Sequence, residues 1–174
     1  FEAALHERVA LLQGQPARII DQVLDERIDL MPGGKVLLAT MRAHGAYAAL
    51  VSGGFTAFSA VIAETLGFDT HRANQLLVED GVLTGEVGLP ILGRQAKVDA
   101  LEAFTAALGL SEDDVLAVGD GANDLGMLGR AGTGVAIHAK PSVAAECDVR
   151  VNFGDLTALL YLQGYAKSEF VSRD

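Results

Sequence analysis

Two patterns of apolar spacing divide the sequence. Over residues 1–31 the spacing is helical: Phe1, Leu5, Val9 and Leu12 fall on one helix face that stops at Gly14. "QPARIIDQVLDERIDL" predicts a second helix, with Pro16 near its first turn. "MPGG" at 31–34 breaks that rhythm, and helix and strand patterns then alternate. "GKVLLATMRAHG" (34–45) predicts a helix, "AYAALVSGG" (46–54) a buried strand ending in glycines, and "FTAFSAVIAETLG" (55–67) a helix. "NQLLVEDGVLTGEVG" (74–88) alternates about Asp80-Gly81, a hairpin signal. "GRQAKVDALEAFTAALGL" (93–110) is a helix, and Ser111 caps a short turn before the strand "DVLAVGD" (114–120). A helix (123–132), a strand (134–138), a helix from Pro141, a strand (148–152) and a helix (155–164) complete the series.

Short apolar strands alternating with helices predict an α/β fold, a parallel sheet covered on both faces. Ligands of such sheets bind at the carboxyl ends of the strands. Two glycine-rich strand ends stand out, "VSGGF" and "VGDGAND", and both are expected on that edge.

Composition narrows the function classes. The 174 residues suffice for one domain and part of a second, and no internal repeat is evident. A net charge of -10 argues against nucleic acid or an anionic membrane surface as partner, since both demand clustered Lys and Arg. One cysteine, Cys147, excludes an internal disulfide, favours the cytoplasm, and reads as a small, partly buried residue. No apolar stretch is long enough to span a bilayer, and the chain opens on a helix rather than a signal peptide. A first residue Phe1 in place of Met reads as a boundary within a longer product.

The chemistry gathers at the two glycine turns. Asp120 ends a strand between Gly119 and Gly121, and Asp124 falls in the first turn of the following helix. Two hard oxygen ligands on a rigid turn suit Mg²⁺, which keeps several waters and takes a phosphate oxygen as well. The alternative for Asp120 and Asp124 is helix capping. Ser52 offers a hydroxyl and Gly53 an N–H able to approach an anion closely at a helix start. Lys97 and Arg8, taken singly, read as solvated surface residues, and the four histidines lack metal-binding spacing.

Together "SGGF" (52–55), Lys97, "GDGANDLGML" (119–128) and "HAKP" (138–141) resemble the haloacid dehalogenase superfamily, and within it the branch that hydrolyses O-phosphoserine. The hairpin "VEDGVLTGEV" and the opening "FEAALHERVALLQG" are similar to that branch too. The resemblance implies a Rossmann-like three-layer α/β/α core (32–174) and a partial helical cap (1–31). It implies Mg²⁺-dependent hydrolysis of phosphoserine, the last step of serine biosynthesis, through an aspartyl-phosphate. Asp120 would be a metal ligand, with Asp124 supporting the metal directly or through water. Asn123, Ser52 and Gly53 would hold the phosphate, and Lys97 would bridge phosphate and nucleophile. Arg8 would grip the substrate carboxylate, and Phe1 would shield the site from water.

One departure is plain. The family's nucleophile and general acid/base form an Asp-x-Asp on an opening strand, and no Asp-x-Asp occurs here. The expectation is a chain lacking that central strand, which belongs between the strands ending "VSGG" and "VGDG". The gap would be filled by a missing N-terminal segment or by another copy, and these 174 residues alone would not turn over substrate. Three alternatives stay open: a related phosphatase or phosphotransferase, the phosphorylation domain of a cation pump, and a non-catalytic phosphate- or metal-binding module.

Overall fold

A computed structural model of the protein describes residues 2–172. The chain forms two compact units, Phe1–Ile91 with Asp155–Asp174, and Leu92–Gly154. The fold is α/β with parallel strands, as the alternation of patterns predicts. The parallel strands form two separate sheets, one in each unit, rather than a single hydrogen-bonded sheet.

The first unit runs α1 (Glu2–Ala10), α2 (Ile19–Arg27), α3 (Gly34–Ala43), β1 (Ala49–Phe55), α4 (Thr56–Leu66), β2 (Thr70–Asn74), β3 (Leu76–Glu79) and β4 (Val82–Val87). Leu5 and Val9 of α1 bury their stripe against Leu76, Leu83 and Val87 of the hairpin β3–β4. Each such side chain contributes about 1.5–3 kcal/mol by leaving water. The hairpin turns at Asp80 (φ 51°) and Gly81 (φ 76°), both in the left-handed region that a two-residue turn requires.

The expected helix from Gln15 starts later, at Ile19. Residues 14–17 instead lie beside β4: Leu83 N–H donates to Gln15 O and Ala17 N–H to Gly81 O, both at 2.8 Å. Pro16, which has no N–H to offer a ladder, bridges Val82 there. Strand β2 was not evident in the sequence. "THRAN" carries one aliphatic residue, Ala73, and becomes a strand through parallel pairing with β1, Ala49 opposite Thr70 and Val51 opposite Arg72.

The second unit contains α5 (Arg94–Leu108), β5 (Leu116–Gly119), α6 (Leu125–Arg130), β6 (Thr133–Ile137), α7 (Pro141–Ala144) and β7 (Val149–Val151). Strands β5, β6 and β7 pair in parallel in that order, Gly119 opposite Ala136 and Ile137 opposite Val151. Ala117, Leu128, Ala136 and Cys147 form its packed centre. Ser111 caps as expected: Asp113 N–H donates to its hydroxyl and its own N–H donates to the Asp114 carboxylate.

The chain returns to the first unit with α8 (Ala158–Leu162). The tail beyond it lies against α3: His44 and Tyr165 stack at 4.7 Å, and Val171 N–H donates to the fully buried Thr40 hydroxyl at 2.9 Å.

Candidate active site

The turn after β5 is organised by one buried carboxylate. Asp124, 3% exposed, precedes α6 and does not cap it. Its Oδ2 instead reaches back, accepting the Gly121 N–H at 3.0 Å and the Asp120 N–H at 3.2 Å. Its Oδ1 accepts from Lys97 Nζ in a buried ion pair. The capping alternative therefore fails for Asp124, whose bonds shape the turn rather than the helix.

Gly119 makes this possible. A Cβ there would sit 2.5 Å from Asp124 Cβ and 2.7 Å from Asp124 Oδ2, so any side chain would expel the carboxylate. Asp120 and Asn123 remain exposed at the strand end.

Lys97 corrects the composition-based reading of a solvated residue: it is 9% exposed. The signal was present. Lys97, Ala100, Leu101 and Thr105 are the buried residues of α5, so the lysine continues the apolar stripe of its helix. A lysine on such a stripe needs a partner, and Asp124 supplies it.

The second predicted turn belongs to the first unit. Ser52, Gly53 and Gly54 lie within β1 near its end rather than in a turn after it, where the pairing register with β2 is interrupted between Val51 and Phe55, and α4 follows from Thr56. Gly54 N–H donates to Ser52 Oγ at 3.0 Å, and the Asn74 side-chain amide donates to Gly53 O at 3.0 Å. Asn74 did not figure among the sequence candidates. The only hint was an asparagine opening the hairpin segment, and its 1% exposure is a tertiary fact.

Arg8 lies exposed on α1, its Nε donating to Ala4 O at 3.0 Å within the same helix. Phe1 lies outside the described residues. Three histidines have local partners: His44 Nδ1–H donates to Thr40 O, His138 Nε2–H donates to Gly154 O, and His71 pairs with the Ser59 hydroxyl. Cys147 is buried, more fully than the partial burial expected of it.

Among the described residues no group of three or more His, Cys, Asp or Glu is placed to hold a metal ion. The donor set at the glycine turn nonetheless fits part of a hard-cation site: oxygens only, on a short rigid turn, with Asp120 exposed. Both Asp124 oxygens are already occupied by nitrogen donors.

Comparison with known families decides the class. Residues 1–129 match the family model of haloacid dehalogenase-like hydrolases. The chain belongs to the haloacid dehalogenase-like hydrolase family. It is 43% identical over all 174 residues to a phosphoserine phosphatase of Streptomyces coelicolor, of which it covers 42%. A phosphoserine phosphatase of Lactococcus lactis is 42% identical over 92% of this chain and 74% of its own. The crystal structure of a probable phosphoserine phosphatase from Vibrio cholerae superposes with TM-score 0.91 at 39% identity, over 97% of this chain and 52% of that one. Against several of these curated relatives this member of the family spans about half their length. Among its described residues no helix is long and apolar enough to cross a membrane.

Proposed function

We propose that this chain carries the phosphate- and metal-gripping parts of an enzyme that hydrolyses O-phosphoserine to serine and phosphate with Mg²⁺. The observation that carries the reading is the buried Lys97–Asp124 pair at the glycine turn, where one carboxylate fixes both the loop and the lysine. Similarity along the whole chain to phosphoserine phosphatases supports the substrate.

The roles follow from the chemistry of each group. Lys97, held by Asp124, presents positive charge to the transferring phosphoryl group, where electrostatic stabilisation does most of the work. Asp120 would ligate Mg²⁺ directly. Asp124, its oxygens occupied, would act through a water or by holding the loop. When bound there, Mg²⁺ would supply the positive charge that offsets phosphoryl oxygens. Ser52, Gly53 and Asn123 would donate hydrogen bonds to the phosphate, and Arg8 would take the serine carboxylate in a two-pronged grip. Phe1 would close the site to water, and residues 1–31 would form part of the cap over a core of 32–174.

The nucleophile and its acid/base partner are an Asp-x-Asp in this family, absent from these residues. In this reading the pair comes from chain beyond them, and the 174 residues alone release no phosphate. In the same reading the reaction is the serine-yielding step of biosynthesis, in the cytoplasm.

The test uses the full-length gene product with phosphoserine and phosphothreonine, with Mg²⁺ and after chelation. Phosphate release from phosphoserine that stops on chelation is expected. Arg8→Ala should raise KM by about 10-fold or more, the worth of a charge-assisted pair. A full-length protein that leaves phosphoserine intact, or a 174-residue chain that hydrolyses it briskly, would overturn the reading.

A further inference from the structure

We infer that Asn74 is a positioning residue for the Ser52–Gly54 segment at the end of β1, fixing the peptide orientation in which that segment receives phosphate. The inference rests on the proposed phosphate role of Ser52 and Gly53. Asparagine is poorly suited to strands, yet Asn74 ends β2 at 1% exposure, opposite Phe55, where the interrupted β1 register resumes. A polar side chain that deeply buried is retained for the bonds it makes.

The geometry says what those bonds do. The carbonyl of Gly53 and the N–H of Gly54 belong to one peptide plane. Asn74 Nδ2 holds the carbonyl end and Ser52 Oγ holds the N–H end, each at 3.0 Å. Two flanking glycines would otherwise let that plane flip, because glycine visits both signs of φ at little cost. With the plane clamped, the Ser52 hydroxyl accepts from Gly54 and its own hydrogen is left to donate elsewhere, as a phosphate oxygen requires. An aspartate at 74 has the same shape but no donor when ionised, and would set an oxygen against the Gly53 carbonyl.

The experiment measures kcat and KM for phosphoserine and Kd for inorganic phosphate in the full-length gene product. The variants are Asn74→Ala, Ser52→Ala and the double substitution, each assayed well below its melting temperature. Asn74→Ala should weaken phosphate binding and raise KM by about 10-fold, the consequence of releasing a peptide plane whose part-buried carbonyl is left unpaired. The double variant should be no weaker than about the weaker single, because both residues act on one peptide plane. Should Asn74→Ala fail to fold, the near-isosteric Asn74→Asp should show the same loss. Folded Asn74 variants that bind phosphate within about twofold of wild type, or losses that simply add in the double variant, would overturn the inference while leaving the site intact. Wild-type protein that neither binds phosphate nor hydrolyses phosphoserine would overturn both the site and the role of Asn74.

Discussion

The two glycine turns solve the same problem with different means. After β5, a charge does the ordering: Asp124 is buried, gathers two backbone N–H groups on one oxygen and binds Lys97 with the other. Within the last residues of β1, the ordering is neutral: a serine hydroxyl and an asparagine amide clamp one glycine peptide. The difference teaches where stability and sensitivity lie. A buried ion pair is costly to break from either side, because the surviving charge is stranded. A neutral clamp gives way more gently, since what is left is a dipole.

Breaking the charged turn should give the largest effect. Lys97→Ala removes one partner of a pair whose side chains are 11% and 5% exposed, and should cost about 3–5 kcal/mol in urea denaturation. Loss of less than about 1 kcal/mol would mean that the pair is effectively solvated and that the contrast between the turns is false.

A matched pair of glycine substitutions sharpens the comparison next. In Gly119→Ala the new Cβ would meet Asp124 Cβ at 2.5 Å, whereas in Gly54→Ala it would meet only Ser52 Oγ, at 3.2 Å. The first should destabilise by about 1–3 kcal/mol and the second by distinctly less, read as melting-temperature shifts. Equal shifts would show that both turns are equally tight.

The smallest effect concerns another carboxylate set on a backbone N–H, but without a lysine. Asp155 Oδ1 accepts the Thr157 N–H at 2.9 Å and its hydroxyl at 2.5 Å. The Thr157 hydroxyl, and then its N–H, hold the Asp155 carboxyl below its usual value of 3.8. A depressed folded pKa adds stability that is complete above the unfolded value and is lost as pH falls through the folded one. Asp155→Asn should therefore flatten a shallow loss of stability below about pH 4, and lower neutral-pH stability by the same small amount. An unaltered acid limb in that variant would remove Asp155 from the acid response.

How much of this was legible in the sequence differs between the turns in the same way as their physics. The charged turn announced itself, because glycine, aspartate and asparagine at a strand end are individually unusual and close in sequence. Its lysine was less visible. Lys97 lies 27 positions from Asp124, and only its place on the apolar stripe of α5 betrayed burial. The neutral turn was half visible: Ser52 and Gly53 could be named, but Asn74 stands 21 positions from Gly53 on a strand the sequence pattern did not mark.

What the sequence determined by itself was local: the alternation of helix and strand, the Asp80-Gly81 hairpin, the Ser111 cap and the two glycine turns. Each depends on neighbours along the chain, so propensity and spacing suffice. What tertiary structure decided was partnership. "THRAN" became a strand by pairing with β1, Pro16 lay along β4 instead of starting a helix, and Lys97 and Asn74 were buried against groups far away in sequence. Burial forces each polar group to find a partner, and which partner is within reach is fixed only when the chain closes on itself.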